Sequence, residues 1–154
     1  MTSSETAGAL KRFRRTPWRF QATFHTPLRD LSNFVATILL TNESIQEACL
    51  TSDRIVFEPK KVNALLEANS LPDLQKHDWS VTANGRREIT DLLEAALEDW
   101  IDFIFVPTPK PFVIYADHDE YTTFYANTKS NLNLIAEALA ARGYKQVENY
   151  LRTL

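Results

Sequence analysis

Residues 86–106 constrain the fold most tightly. In "RREITDLLEAALEDW", Ile89, Leu92, Leu93, Ala96, Leu97 and Trp100 recur at spacings of three and four, the stripe of an amphipathic helix. The run "IDFIFV" follows at once, short, apolar and rich in β-formers, and reads as a strand. An amphipathic helix that feeds directly into an apolar strand must cover a sheet. Helices and strands therefore share one core.

The same change of period recurs along the chain. "WRFQATFH" alternates, with Trp18, Phe20, Ala22 and Phe24 on one face and Arg19, Gln21, Thr23 and His25 on the other, and predicts a half-buried strand. After Pro27, Leu28, Leu31, Phe34, Val35, Ile38 and Leu39 fall at helical spacing. Ser44 and Glu47 have the form of a capping box, which predicts a short helix ending near Leu50. "RIVFE" reads as a strand, and Pro59 opens the helix "KKVNALLEAN", closed by Asn69. "WSVTA" reads as a strand broken by "NG". "PTPKP" is too proline-rich for a ladder and is expected to be a connector between "IDFIFV" and "FVIYAD". "EYTTFYAN" is a further strand, and a helix from about Lys129 to Arg142 has Gly143 as its C′ residue. The last residues, "YKQVENYLRTL", fit a short strand or a helical turn equally well. The expected fold class is α+β: a two-layer sandwich with a mixed or antiparallel sheet, a C-terminal meander and helices on one face.

Length and charge narrow the function. A chain of 154 residues with 44 % hydrophobic residues fits a single domain with a substantial core, assigned to residues 16–154. Residues 1–15 lack apolar periodicity and contain "KRFRR", so a flexible basic arm is expected there. One cysteine, Cys49, excludes an internal disulfide and a cysteine zinc cage, and suits a reducing compartment; its helical context predicts a buried, inert thiol. No leader-like apolar run and no stretch of membrane-spanning length is present, so a cytoplasmic protein without a membrane partner is expected.

Charge is unevenly spread. Residues 1–29 hold six Lys or Arg against Glu5 alone, whereas residues 86–120 hold nine acids against three bases. Such a split bears on partners and association rates. The basic segment, with Lys11, Arg12, Arg14 and Arg15 beside Phe13, has the composition of a nucleic-acid grip. The chain's pI of about 5.6 favours instead a solvated arm, or one docked on the protein's own acidic helix.

Between "FVIYA" and "YTTFYA" stand four ionisable residues in a row: Asp117, His118, Asp119 and Glu120. They are read as the solvated tip of a β-hairpin, with Asp117 bonding its own backbone at the first position of the turn. The alternative is a metal site of Asp117, His118, Asp119 and Glu120, but adjacent side chains in a tight turn diverge. An apolar strand ending in Asp-x-Asp resembles the start of the haloacid-dehalogenase phosphatases, in which Asp117 would be nucleophile and Asp119 acid and base around magnesium. It also resembles the Asp-x-Asp of nucleotide-sugar glycosyltransferases. Tyr121 stands where the phosphatase pattern wants Thr or Val, and no Asp follows it. No glycine-rich nucleotide-binding half precedes the motif, and neither family is assigned.

P-loops, dinucleotide fingerprints, His-Glu-x-x-His and Gly-x-Ser-x-Gly are all missing, which lowers the enzymatic expectation. The acidic stripe Glu88, Asp91, Glu94 and Glu98 precedes a hairpin tip of the same sign, with Tyr115 and Tyr121 on the flanking strands. Acidic surfaces bearing tyrosines suit basic protein partners, charge setting the on-rate and aromatics anchoring. The expectation is a non-enzymatic binding module without cofactor, of the size of small bacterial immunity proteins that neutralise toxins. Its partner-binding residues would be Asp117, Asp119, Glu120, Tyr121, Glu94 and Glu98. The alternatives are a metal-dependent hydrolase or phosphotransferase using Asp117 and Asp119, and a nucleic-acid accessory protein using the basic segment.

Overall fold

The computed structural model describes residues 1–5, 8–75 and 77–153. Among these residues seven strands, β1 (Thr2–Glu5), β2 (Phe20–His25), β3 (Glu47–Arg54), β4 (Trp79–Asn84), β5 (Asp102–Thr108), β6 (Val113–Ala116) and β7 (Tyr121–Ala126), form one sheet in the order β1-β4-β3-β5-β6-β7-β2. Every pairing is antiparallel, and β5-β6-β7 is the expected meander. Among the described residues five helices accompany it: α1 (Ala9–Arg15), α2 (Leu31–Leu40), α3 (Lys60–Ala68), α4 (Gly85–Glu98) and α5 (Lys129–Ala141). The fold is α+β, a helix layer on an antiparallel sheet. Among the described residues no helix is long and apolar enough to cross a membrane.

Alternation along the strands sorts two apolar clusters onto the two faces. Phe103 and Phe105 of β5, Ile114 of β6 and Phe124 of β7 meet helices α2–α5 in the main core, where Phe34, Ile38, Leu92, Leu93, Ile135 and Leu139 are buried. The intervening Ile104, Val113, Tyr115 and Tyr125 face the other way and are covered by Leu10 and Phe13 of α1. Helix α4 buries five members of the stripe its spacing predicted, Ile89, Leu92, Leu93, Ala96 and Leu97; the sixth, Trp100, lies past the end of the helix and is only half-buried. Asp99, at its end, turns away to accept bonds from the backbone N–H groups of Lys61 (3.1 Å) and Val62 (2.8 Å), capping the first turn of α3. Helix α5 closes as expected: Gly143, at φ +85°, lets Tyr144 N–H reach Leu139 O and Gly143 N–H reach Ala140 O.

Four local expectations are corrected. The 44–50 helix is replaced by β3, because Ala48 and Leu50 alternate into the core and the segment is held on both sides, by β4 and β5. Cys49 is consequently a half-buried strand residue on the opposite face from Leu50. "RIVFE" contributes only Arg54 to a strand: the register shifts between Ser52 and Arg54 and the ladder stops, leaving residues 55–58 as a loop with Val56 and Phe57 exposed. Pro107 lies inside β5 opposite Ala48, which is tolerated because pairing with β6 ends at Phe105 and only one flank of the strand carries a ladder there. The described part of the N-terminal segment is seated on the sheet rather than held as an arm. β1 pairs with β4, and α1 packs Leu10 and Phe13 on β5–β7; Arg14 pairs with Asp53 of β3 at 2.8 Å, while the Met1 amino group meets the acidic helix at Glu88 (3.1 Å). Thr6 and Ala7 of that arm lie outside the described residues, as does Leu154 of the C-terminal stretch. Residues 144–153 run irregularly along the free edge of β2, where His25 N–H donates to Lys145 O and Val147 N–H to Thr23 O.

Candidate functional site

The topology gathers chemistry at one end of the sheet. β2 ends there in His25, β3 in Asp53 and Arg54, β5 begins there with Asp102, and residues 117–120 turn there between β6 and β7. His77, one residue before Asp78, donates from Nδ1–H to Asp53 O (3.1 Å) at the same end. The three histidines, single and distant in sequence, thus share one rim of the fold.

The charged turn is a hairpin tip whose four side chains do different things. Asp117 organises it, as its residue type suggested: Oδ1 accepts from Asp119 N–H (2.9 Å) and Tyr121 N–H (3.3 Å), and Asp117 N–H donates to Tyr121 O. Its Oδ2 pairs with the Arg152 guanidinium, so this carboxylate is largely buried and does not face solvent as expected. Arg152 also lies 4.6 Å from the Tyr115 ring centroid and donates from Nε to Thr123 Oγ1 (3.2 Å), fastening the C-terminal segment to the outer face. His118 is turned inward to Asp102, only 6 % exposed, which accepts from both the His118 backbone N–H and Nδ1 at 2.8 Å. A carboxylate only accepts, so the proton sits on Nδ1 and Nε2 is left facing outward, 3.7 Å from Asp119. The Asp102 hydrogen bond, and then the charges of Asp102, Asp119 and Asp117, raise the His118 pKa against the opposing effect of burial. Asp119, 75 % exposed, and Glu120 are the two members that do project into water.

Beside the tip is a shallow dish of about 410 Å³ lined by Phe57, Trp100, His118 and Glu120. Phe57 is 57 % exposed. Trp100 occupies the left-handed position (φ +58°) just past α4, where its N–H reaches Leu97 O and Ile101 N–H reaches Ala96 O. That is the geometry glycine normally supplies, and a bulky aromatic there is strained. Glu120 is also left-handed, at φ +71°. Backbone strain of this kind concentrates at functional positions.

The remaining expected residues divide. Tyr121 is half-buried in an aromatic trio, 5.5 Å from the His25 ring and 5.1 Å from Tyr150. Tyr115 does not project: it is buried beneath α1, and its hydroxyl donates to Asp53 Oδ2 at 2.6 Å, burial and that carboxylate pushing its pKa up. Glu98 is in the last turn of α4, exposed, 3.9 Å from Lys61. Glu94, a turn earlier, accepts from Ser32 of α2 (2.7 Å) and belongs to the helix layer rather than the tip. Lys11, Arg12 and Arg15 lie exposed on α1. As for a metal, Asp117 has both oxygens engaged by Arg152 and backbone N–H groups, and among the described residues no three His, Cys, Asp or Glu side chains gather as ligands. Phe57, Trp100 and Asp102 are site residues the sequence reading passed over. The sequence pattern places Phe57 and Asp102 in strands and Trp100 in a helical stripe.

Comparison of the chain with protein-family models, with curated proteins and with solved structures finds no match.

Proposed function

We propose that the protein is a non-enzymatic binding module that presents the hairpin end of its sheet to a basic protein partner, with a toxin-neutralising, immunity-like role as its concrete form. The observation that carries this reading is the dish itself: Phe57 and a strained Trp100 open to solvent beside Glu120, with Asp119 next to it. Aromatic side chains in a shallow recess supply anchor area, and a carboxylate rim selects and steers a cationic partner. Tyr121 and Glu98 lie at the margin of the same end, and Asp117 serves the surface indirectly by holding the turn.

The hydrolase alternative needs Asp117 available to a cation, and its carboxylate is engaged by Arg152. The nucleic-acid alternative needs a free basic segment, and Arg14 is committed to Asp53 while Phe13 is buried. A retention experiment tests the proposal. The immobilised protein, challenged with host extract at low salt, retains basic proteins that D119K/E120K and F57A lose and that E137K, on the exposed side of α5, keeps. Undiminished retention by D119K/E120K would overturn it.

A further inference from the structure

A second concavity, about 320 Å³, lies on the opposite face of the sheet from α2–α5, beneath α1. Its walls are apolar: Phe13 of α1 and Trp18 face Ile104 and Val106 of β5 and Val113 of β6. Lys110, at its edge, follows the end of β5 opposite to Asp102, about 20 Å along the strand at about 3.3 Å per residue. The cleft is therefore separate from the dish at the hairpin.

Its charge is the reverse of the chain's. Arg12 and Lys110 are the ionised side chains lining it, no carboxylate among the described residues does so, and neither cation takes part in an ion pair there. Two unpaired cations over an apolar slot, on a protein of net charge −3, make a local site for an anion that also has an apolar body. At about 30 Å³ for each water-sized group, the volume accepts about ten non-hydrogen atoms. We propose that this cleft binds a small amphipathic carboxylate, an acyl chain or single aromatic ring lying between Trp18 and Val106 with its head group held by Arg12 and Lys110. A guanidinium receives a carboxylate through paired N–H donors, and the ammonium adds a point charge.

Cys49, the chain's one cysteine, lines the same cleft and reports on it. Octanoate and 3-phenylpropionate are the probes, with octanol and octylamine as controls. The acid that fits slows alkylation of Cys49 several-fold and raises Tm, while octanol and octylamine do neither; which acid does so distinguishes an acyl from an aromatic occupant. In R12E/K110E, or in K110E alone if the double variant folds poorly, the effect is lost at unchanged Tm of the free protein. Should Cys49 resist the reagent outright, the Tm shifts alone decide. Equal effects from octylamine or octanol, no effect from either acid, or full retention in R12E/K110E would each overturn the proposal.

Discussion

Asp102 accepts two hydrogen bonds from one residue, the backbone N–H of His118 and its ring Nδ1–H, each at 2.8 Å and both on the same oxygen. A single buried carboxylate at the start of β5 thereby fixes the backbone and the imidazole of the hairpin tip together. This places the His118 ring in the wall of the dish with Trp100 and Phe57.

That relationship makes stability depend on pH in a defined sense. The pKa of His118 is raised in the folded protein, first by the Asp102 hydrogen bond and then by the charges of Asp102, Asp119 and Asp117. A group whose folded pKa lies above its unfolded value of about 6.5 stabilises fully below that value, and the contribution fades as pH rises through the folded pKa. Urea unfolding should show the wild type losing stability as pH climbs from below 6.5 through that range, with H118Q lacking this component. In D102N the ring-proton titration of His118 should move to lower pH.

Removing Arg152 should cost more than removing an exposed cation. Asp117 is largely buried, and without the guanidinium its charge has no ionic partner. R152M should destabilise by about 3 kcal/mol, the usual consequence of stranding one member of a buried pair. Adding D117N should recover part of that loss, since the amide needs no counter-ion. Chemical denaturation of the four proteins of this cycle checks it.

Trp100 should behave unlike an ordinary tryptophan. Trp100 is only half-buried, so cutting it back to a small residue costs about half of the 3–5 kcal/mol of a fully buried Trp. At φ +58°, however, glycine relieves strain of about 1–3 kcal/mol. W100G should therefore remain within about 1 kcal/mol of wild type in urea while losing retention of basic partners. A large loss of stability would mean that Trp100 is a packing residue.

Asp99 caps α3 from the end of α4, with both carboxylate oxygens on backbone N–H groups. Burial raises its pKa although the N–H bonds of Val62 and Lys61 pull it down. D99A leaves those two donors unsatisfied and should cost about 2–3 kcal/mol, whereas D99N keeps an acceptor and should cost less. Denaturation midpoints of the two variants measure the difference.

The sequence pattern is legible at α4 and α5, whose buried residues recur at 3.6, at β2 from Phe20 onward, where Phe20, Ala22 and Phe24 share a face, and at the β5–β7 meander, whose short apolar runs are rich in β-formers. Trp18, expected on the face of Phe20, precedes the strand and packs on the opposite face with Phe13 and Tyr125. The pattern fails at β3, whose Ala48–Cys49–Leu50 core is indifferent to local conformation and becomes a strand only because β4 and β5 hold it. For the site, the hairpin tip and the turn-forming role of Asp117 were legible as residue types. The Arg152–Asp117 and Asp102–His118 pairs were not, since they join residues 35 and 16 positions apart through tertiary packing. Nor does any local pattern say that Trp100, the last residue of the helical stripe, will sit past the helix end in a left-handed backbone, half-exposed.

The central claim, that the tip is a charge-steered docking surface, is tested most directly by the association rate of a retained basic partner with wild type and D119K/E120K across ionic strength. The wild-type rate should fall steeply as salt is raised, and the D119K/E120K rate should be slower at low salt and nearly independent of it. Equal association rates for the two proteins at low salt would contradict it.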